Sequence, residues 1–316
     1  MLRFLARRLT GSAVALLVSS FGVFGAMYLA PGDPVSFLIG NRGSTPELRA
    51  ALRSQYRLDD PFLERYWRWL GSAVQGQFGE SLLQRQSVSG LISARLATTA
   101  WLVALAFIVA VAVGVCVGVA AGRWPRRLLD DAVSVAVSAS IATPAFVSAV
   151  LLISLFAVGT GWFPVFGSGS GSVVGRLHHL ALPAVSLAIG WWALIAQTTR
   201  ASIRSELGKE HVETALARGL SSGQVFRRHV LRNALIPIST SGGLTLAGLI
   251  AGTAIVETAF QLDGVGGLLI SAVSGRDFPV VQAVVLLLVV AFALVNTAVD
   301  VLYTVLDPRV RLGSAA

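Results

Sequence analysis

The side chains of this 316-residue chain able to perform acid–base, nucleophilic or metal chemistry are few. Four histidines occur, His178 and His179 as a pair and His211 and His229 within one polar stretch. The single cysteine, Cys116, lies inside an apolar run, so no intramolecular disulfide can form. No HExxH zinc pattern is present. A phosphate-binding P-loop needs a lysine after its last glycine and then Ser or Thr, whereas the only lysine, Lys209, stands in Gly208-Lys209-Glu210. The run from Gly167 to Ser172 opens no helix in the pattern and reads as a flexible connector. The residues thus point to no catalytic group, no metal site and no cofactor held by this chain. ATP-driven work would need an ATPase on another subunit.

Two carboxylates stand in apolar surroundings, Glu257 and Asp300. A charge at mid-bilayer costs at least about 2.5–3.5 kcal/mol, which makes such groups functional candidates. A structural cap or an interhelical hydrogen bond is the other reading for each.

The surroundings are apolar along most of the chain. Apolar residues make up 54% and charged residues 13%, about half the charge of a soluble domain. The apolar residues gather into six blocks, about 9–30, 97–121, 133–159, 180–199, 236–257 and 279–303. Each is long enough to cross a hydrocarbon layer needing about 20 helical residues, and each is apolar on all faces. The predicted fold is therefore all-α, a polytopic membrane protein with six transmembrane helices in one domain. Pro144 interrupts the third span and kinks it. Gly114, Gly118 and Gly122 recur at four-residue spacing in the second span and allow close approach by some other helix.

Charge sets the orientation. The net charge is +9, and arginine dominates the basic residues, a mark of a GC-rich genome and not of nucleic-acid binding. With a cytoplasmic N-terminus, fifteen basic residues fall on cytoplasmic segments, against only Arg176 and Arg276 on the short outer loops. The positive-inside rule then places both termini in the cytoplasm. The 31–95 loop lies outside. It offers helix starts at Thr45-Pro46, before Leu48, Ala51, Leu52 and Tyr56, and at Asp60-Pro61, before Phe62, Tyr66, Leu70 and Ala73. Both helices are amphipathic and suit either the membrane surface or an outside partner, as do the interfacial rings of Tyr66, Trp67 and Trp69.

The cytoplasmic segment 200–233 reads as helix, turn, helix. Gly219 can take the left-handed conformation that ends the first helix, and Ser221 with Gln224 forms a capping box for the second. Small residues at Ala215, Ala217 and Gly219 would let another surface come close. By composition the segment is either a connector or a docking element.

Here the residues meet a family pattern. Glu213-Thr214-Ala215, three residues and then Gly219 resembles the EAA-x3-G signature of permease subunits of binding-protein-dependent ABC importers, with Thr214 replacing the middle alanine. The continuation through Arg228-His229 and Leu231 to Pro237 is similar to the dipeptide, oligopeptide and nickel branch. So are Ala30-Pro31-Gly32-Asp33-Pro34, Leu58-Asp59-Asp60-Pro61, Gly76-Gln77-Phe78-Gly79-Glu80-Ser81, Val256-Glu257-Thr258 and Leu306-Asp307-Pro308-Arg309. A proline usual after Val256-Glu257-Thr258 is replaced by Asp263.

The resemblance implies a type I ABC importer permease fold, the first of two permeases in a peptide-type importer, in a bacterial inner membrane. Its partners would be a second homologous permease, two cytoplasmic ATPase subunits that bind ATP and Mg, an extracytoplasmic solute-binding protein and the lipid bilayer, with no nucleic acid. Glu213, Thr214, Ala215, Arg218, Gly219 and Leu220 would seat in an ATPase groove, and Pro144 and Glu257 are candidates for the translocation pathway. The alternatives are an ion-driven secondary transporter or channel, which wants ionisable groups near mid-membrane, and an intramembrane enzyme, which wants a nucleophile and base inside the bundle. Neither pattern is present.

Overall fold

The computed structural model describes residues 2–29, 45–47, 50, 54, 59–124, 127–169 and 172–306. The 30–34 motif, the residues Leu48, Ala51, Leu52 and Tyr56 of the first loop helix, the 307–309 motif and the side chain of Asp300 lie outside the described residues. The elements are α1 (Leu2–Leu29), α2 (Phe62–Val74), α3 (Val88–Arg123), α4 (Arg127–Ala142) and α5 (Ala145–Leu152), which runs on into a π-helical turn (Ile153–Gly159). Then come α6 (Val173–Leu207), α7 (Glu210–Ala217) and α8 (Ser222–Val225), which passes through a second π-helical turn (Phe226–Val230) into α9 (Leu231–Ala259). Finally there are α10 (Val265–Ser274) and α11 (Phe278–Leu306). Extended pairing among the described residues is limited to an isolated bridge between Glu80 and Ser87.

The all-α membrane class holds, while the six-span count is met only in part. Val88–Arg123, Val173–Leu207, Ser222–Ala259 and Phe278–Val299 are each long and apolar enough to cross a bilayer. α4 and α5 make a fifth only if counted together. In α1 the apolar stretch Thr10–Ala26 falls short of the roughly 20 residues a perpendicular span needs.

The predicted third span is broken, not kinked. α4 and α5 meet at 102° across Thr143 and Pro144. Proline lacks the N–H that would continue the ladder and disfavours a helical residue before it. Pro144 accordingly takes φ −62° and ψ 145° at the start of α5, and the Thr143 hydroxyl turns back to the Ala139 carbonyl at 2.7 Å. Both arms are tied to α6: Trp192 Nε1 donates to Ser140 Oγ at 2.9 Å, and the hydroxyls of Ser148 and Ser186 lie 3.1 Å apart. The predicted connector also proves more ordered at its end, since Ser172 caps α6 by accepting the Gly175 N–H at 3.0 Å. That places the start of α6 several residues before the apolar block that marks it in sequence.

The described chain divides into two compact units, one from Thr98–Gly267 with the stretch beginning at Ala291, the other from Leu2–Ala97 and Leu268–Val290. In the first, Leu102, Ala106, Ala110, Leu180, Ile195, Leu249, Val256 and Phe260 form the buried core. The glycine repeat of α3 faces α6. A Cβ at Gly114 would lie 2.7 Å from Ile195 Cβ, and one at Gly118 2.5 Å from Thr199 Cβ and 2.7 Å from the Ala196 carbonyl. Absence of side chains there lets two backbones approach, the usual basis of tight packing between membrane helices.

In the second unit, α2 packs on α1 through the rings of Phe21, Phe24, Phe62 and Tyr66, and the Tyr66 and Ser20 hydroxyls meet at 2.9 Å. Asp60 does not cap α2; its carboxylate pairs with Arg68 at 2.7 Å, and Pro61 occupies the cap position without a side-chain bond.

Candidate functional site

The hairpin grows from the end of α6. That helix stays unbroken through Arg200 to Leu207, past the boundary its hydropathy suggests, and Gly208 and Lys209 then turn the chain into α7. Gly219 has φ +83°, a left-handed conformation that side chains disfavour. Its N–H donates to the Leu216 carbonyl at 2.9 Å and the Leu220 N–H to Ala215 at 3.3 Å. That pair of bonds is a Schellman motif closing α7. The capping box also forms: Ser221 Oγ accepts the Gln224 N–H, and Gln224 Oε1 accepts the Ser221 N–H.

α7 is seated on the membrane helices by its own apolar face. Val212 and Ala215 join Ile203 of α6 with Val225, Phe226, Val230, Ala234 and Ile238 of the returning helix. Arg123, at the end of α3, stacks over the Phe226 ring at 4.4 Å. Glu213, Thr214, Leu216, Ala217, Arg218 and Gly219 point outward, with Leu220 half-buried. Ala215 therefore does not serve as an approach surface: it is turned into the hairpin's own core, because it shares a helix face with Val212.

Three carboxylates that sequence patterns left unexplained hold local structure, two of them near the hairpin and the third in the other unit. Asp130 of α4 takes Arg204 Nη2 of α6 on both oxygens at 2.6 Å, and the same nitrogen reaches the Ala121 carbonyl of α3 at 3.0 Å. Glu206, 8% exposed on the last turn of α6, accepts from Lys209 Nζ and from Asn233 Nδ2 and faces His211 Nε2 at 3.6 Å. Asp277, also buried, accepts from Ser81 Oγ and from the N–H groups of Leu82 and Leu83 at 3.1 and 3.2 Å. It pins the turn that follows the Gly76–Ser81 motif, whose Gly76 and Gly79 both have positive φ.

Glu257 has no exposed surface. Its Oε1 accepts the Thr99 hydroxyl at 2.7 Å and its Oε2 accepts the Gly267 N–H at 2.8 Å, while Thr99 Oγ1 accepts the Val265 N–H at 2.8 Å. Those N–H groups belong to the first turn of α10, where four donors have no intrahelical partner. A Cβ on Gly264 would overlap the Glu257 carboxylate. Of the two readings of Glu257, a cap and a place in the pathway, the contacts seen here are those of a cap, with the side chain fully buried. Pro144, at the α4–α5 bend, is exposed.

The described residues are largely helical, four of the helices are long and apolar enough to cross a bilayer, and a helical hairpin stands at the roots of two of them, the composition of a polytopic membrane subunit. Residues 114–312 match the family described as binding-protein-dependent transport system inner membrane component, and residues 1–103 match the N-terminal region of such membrane components. The chain belongs to this family and is a multi-pass inner-membrane permease subunit of an ATP-driven importer. Over 315 residues it is 37% identical to the glutathione transport system permease protein GsiC of Escherichia coli K12, with 98% of this chain and 99% of the relative covered. The protein of the same name from Salmonella paratyphi A is 36% identical over 311 residues, with the same coverage of both chains. Among solved structures, an inward-facing form of the MetNI methionine ABC transporter superposes with a TM-score of 0.58 at 21% identity, over 69% of this chain and 96% of that one. That likeness shows a shared fold. Family membership sets the chain apart from ion-driven carriers, and permeases of this kind work with ATPase and further permease subunits.

Proposed function

We propose that this chain is one of two homologous permeases lining a common pathway for a peptide-class solute, with both termini cytoplasmic and six crossings. α1 and the bent α4–α5 pair supply the first and third crossings. Two separate ATPase subunits bind ATP and Mg, and an extracytoplasmic solute-binding protein delivers the solute to the side bearing residues 31–95. The GsiC relatives, named for glutathione, favour small peptide-like solutes carrying carboxylates and amides. Pro144, exposed at the bend, is a candidate lining position.

The observation that carries this reading is the hairpin. α7 has one face packed on the roots of α6 and α9, while its outer face and the turn that closes it present Glu213, Thr214, Arg218 and Gly219 to solvent. A motor seated on that face would drive the permease between two packed states. The test is ATP-dependent uptake of labelled glutathione and dipeptides into proteoliposomes holding the purified importer. Gly219→Asp and Glu213→Arg should leave the permease in the membrane and lower ATPase association or uptake. Normal uptake in both variants, or uptake by this chain alone on an ion gradient, would overturn the reading.

A further inference from the structure

α7 is attached to α6 by only Gly208 and Lys209. Such a link by itself would let the helix swivel. The apolar cluster beneath α7 resists separation, but apolar contact is non-directional and permits sliding. Direction must come from polar bonds, and those beneath α7 converge on Glu206. One oxygen holds Lys209 of the linker; the other holds Asn233 in the first turn of α9 and faces His211 in the first turn of α7. A carboxylate this deeply buried is tolerated only when its oxygens are engaged, and a satisfied buried network selects one arrangement over its neighbours.

We propose that Glu206 is a positioning residue that fixes the registration of α7 against the roots of α6 and α9, so that displacement of the hairpin passes undiminished into both spanning helices. The inference rests on the hairpin being the coupling element. Loss of Glu206 leaves the apolar cluster intact, so the hairpin still forms and still meets its motor. What is lost is the conversion of hairpin movement into helix movement. ATP then continues to be hydrolysed while less solute crosses.

The experiment measures solute imported per ATP hydrolysed by the purified importer in proteoliposomes, for wild type, Glu206→Ala, Glu206→Gln and Asn233→Leu. In Glu206→Ala the ratio should fall about two- to thirtyfold, the range over which single substitutions alter coupling between sites, with hydrolysis itself retained. Glu206→Gln keeps one acceptor oxygen, for Asn233 or for Lys209, and turns an NH2 group toward the other, so it should recover part of the ratio. Hydrogen exchange at the amides of α7 should quicken in Glu206→Ala. A wild-type ratio in Glu206→Ala, or equal falls in import and hydrolysis, overturns the proposal. If Glu206→Ala does not assemble, an unchanged ratio in Asn233→Leu, which removes the donor on α9, overturns it. Failure of the coupling reading itself is separable, because Gly219→Asp and Glu213→Arg would then transport normally.

Discussion

Gly219 allows the turn and the docking surface to be tested apart. Its φ is +83°, yet a Cβ built there meets nothing within 4 Å in this chain. Inside the subunit, a substitution therefore costs only backbone strain. For alanine in the left-handed region that strain is about 1–2 kcal/mol, and for asparagine less, because its side chain is at home there. Valine, branched at Cβ, costs more. The hairpin is held by the Val212–Phe226 cluster and by the Ser221 capping box, so Gly219→Asn should fold and insert normally. If an ATPase surface closes over residues 213–219, however, the new side chain fills occupied space. Forced overpacking costs about 1–3 kcal/mol, or about 5- to 160-fold in association. The assay is co-purification of the ATPase with the permease, together with ATP-dependent uptake at matched permease abundance. Gly219→Asn should lose both. Normal association and uptake in Gly219→Asn beside failure of Gly219→Val would show that the glycine serves only the backbone, and the argument for a seated surface would fall.

Three further outcomes follow from geometry elsewhere. Gly118→Ala should lower the thermal stability of the purified permease by about 1–3 kcal/mol relative to Gly190→Ala, because a Cβ at 118 meets Thr199 and the Ala196 carbonyl whereas one at 190 meets nothing within 4 Å; equal melting temperatures would contradict the packing. Glu257→Leu removes the acceptor of the Thr99 hydroxyl proton, at about 1–3 kcal/mol, and one acceptor of the Gly267 N–H, so membrane abundance should fall while uptake per permease is kept, with Glu257→Gln milder. Lost uptake per molecule at full abundance would restore a pathway role. In a Cys116→Ser background, cysteines at Ser54 and Ser221 should label from opposite faces of intact cells, and labelling of Ser221 from outside would invert the topology.

Local rules were enough for the hairpin. Gly219 ending α7 and Ser221 with Gln224 starting α8 are contacts within three to five residues, where propensity and capping act directly. The four-residue glycine spacing of α3 likewise announced a close approach, though not that α6 was the helix approached. The bend at Pro144 was visible as an interruption, but its size was not. Proline removes one hydrogen bond in any helix, and Pro183 and Pro237 sit within continuous α6 and α9; how far the chain turns is decided by what receives each arm, here the Ser140–Trp192 and Ser148–Ser186 bonds to α6.

The buried acids were the part that spacing does not encode. Asp277 reaches Ser81 across 196 positions, and Glu257 reaches Thr99 across 158. Glu206 had a local clue in Lys209 three residues on, yet its partner Asn233 lies 27 positions away on α9. Each acid satisfies donors on an element distant in sequence, so its partners cannot be read from spacing, whether it closes an apolar run as Glu257 does or stands in a polar stretch as Glu206 and Asp277 do. Rarity of charge in a membrane chain thus marks where helices must be held in fixed relation as well as where solute passes. Of the three, only Glu206 joins the roots of two spanning helices to the segment between them. Glu257 and Asp277 each anchor a turn beside a helix start. Removing either of those acids should therefore act on how much permease there is, while removing Glu206 should act on how much import each ATP yields.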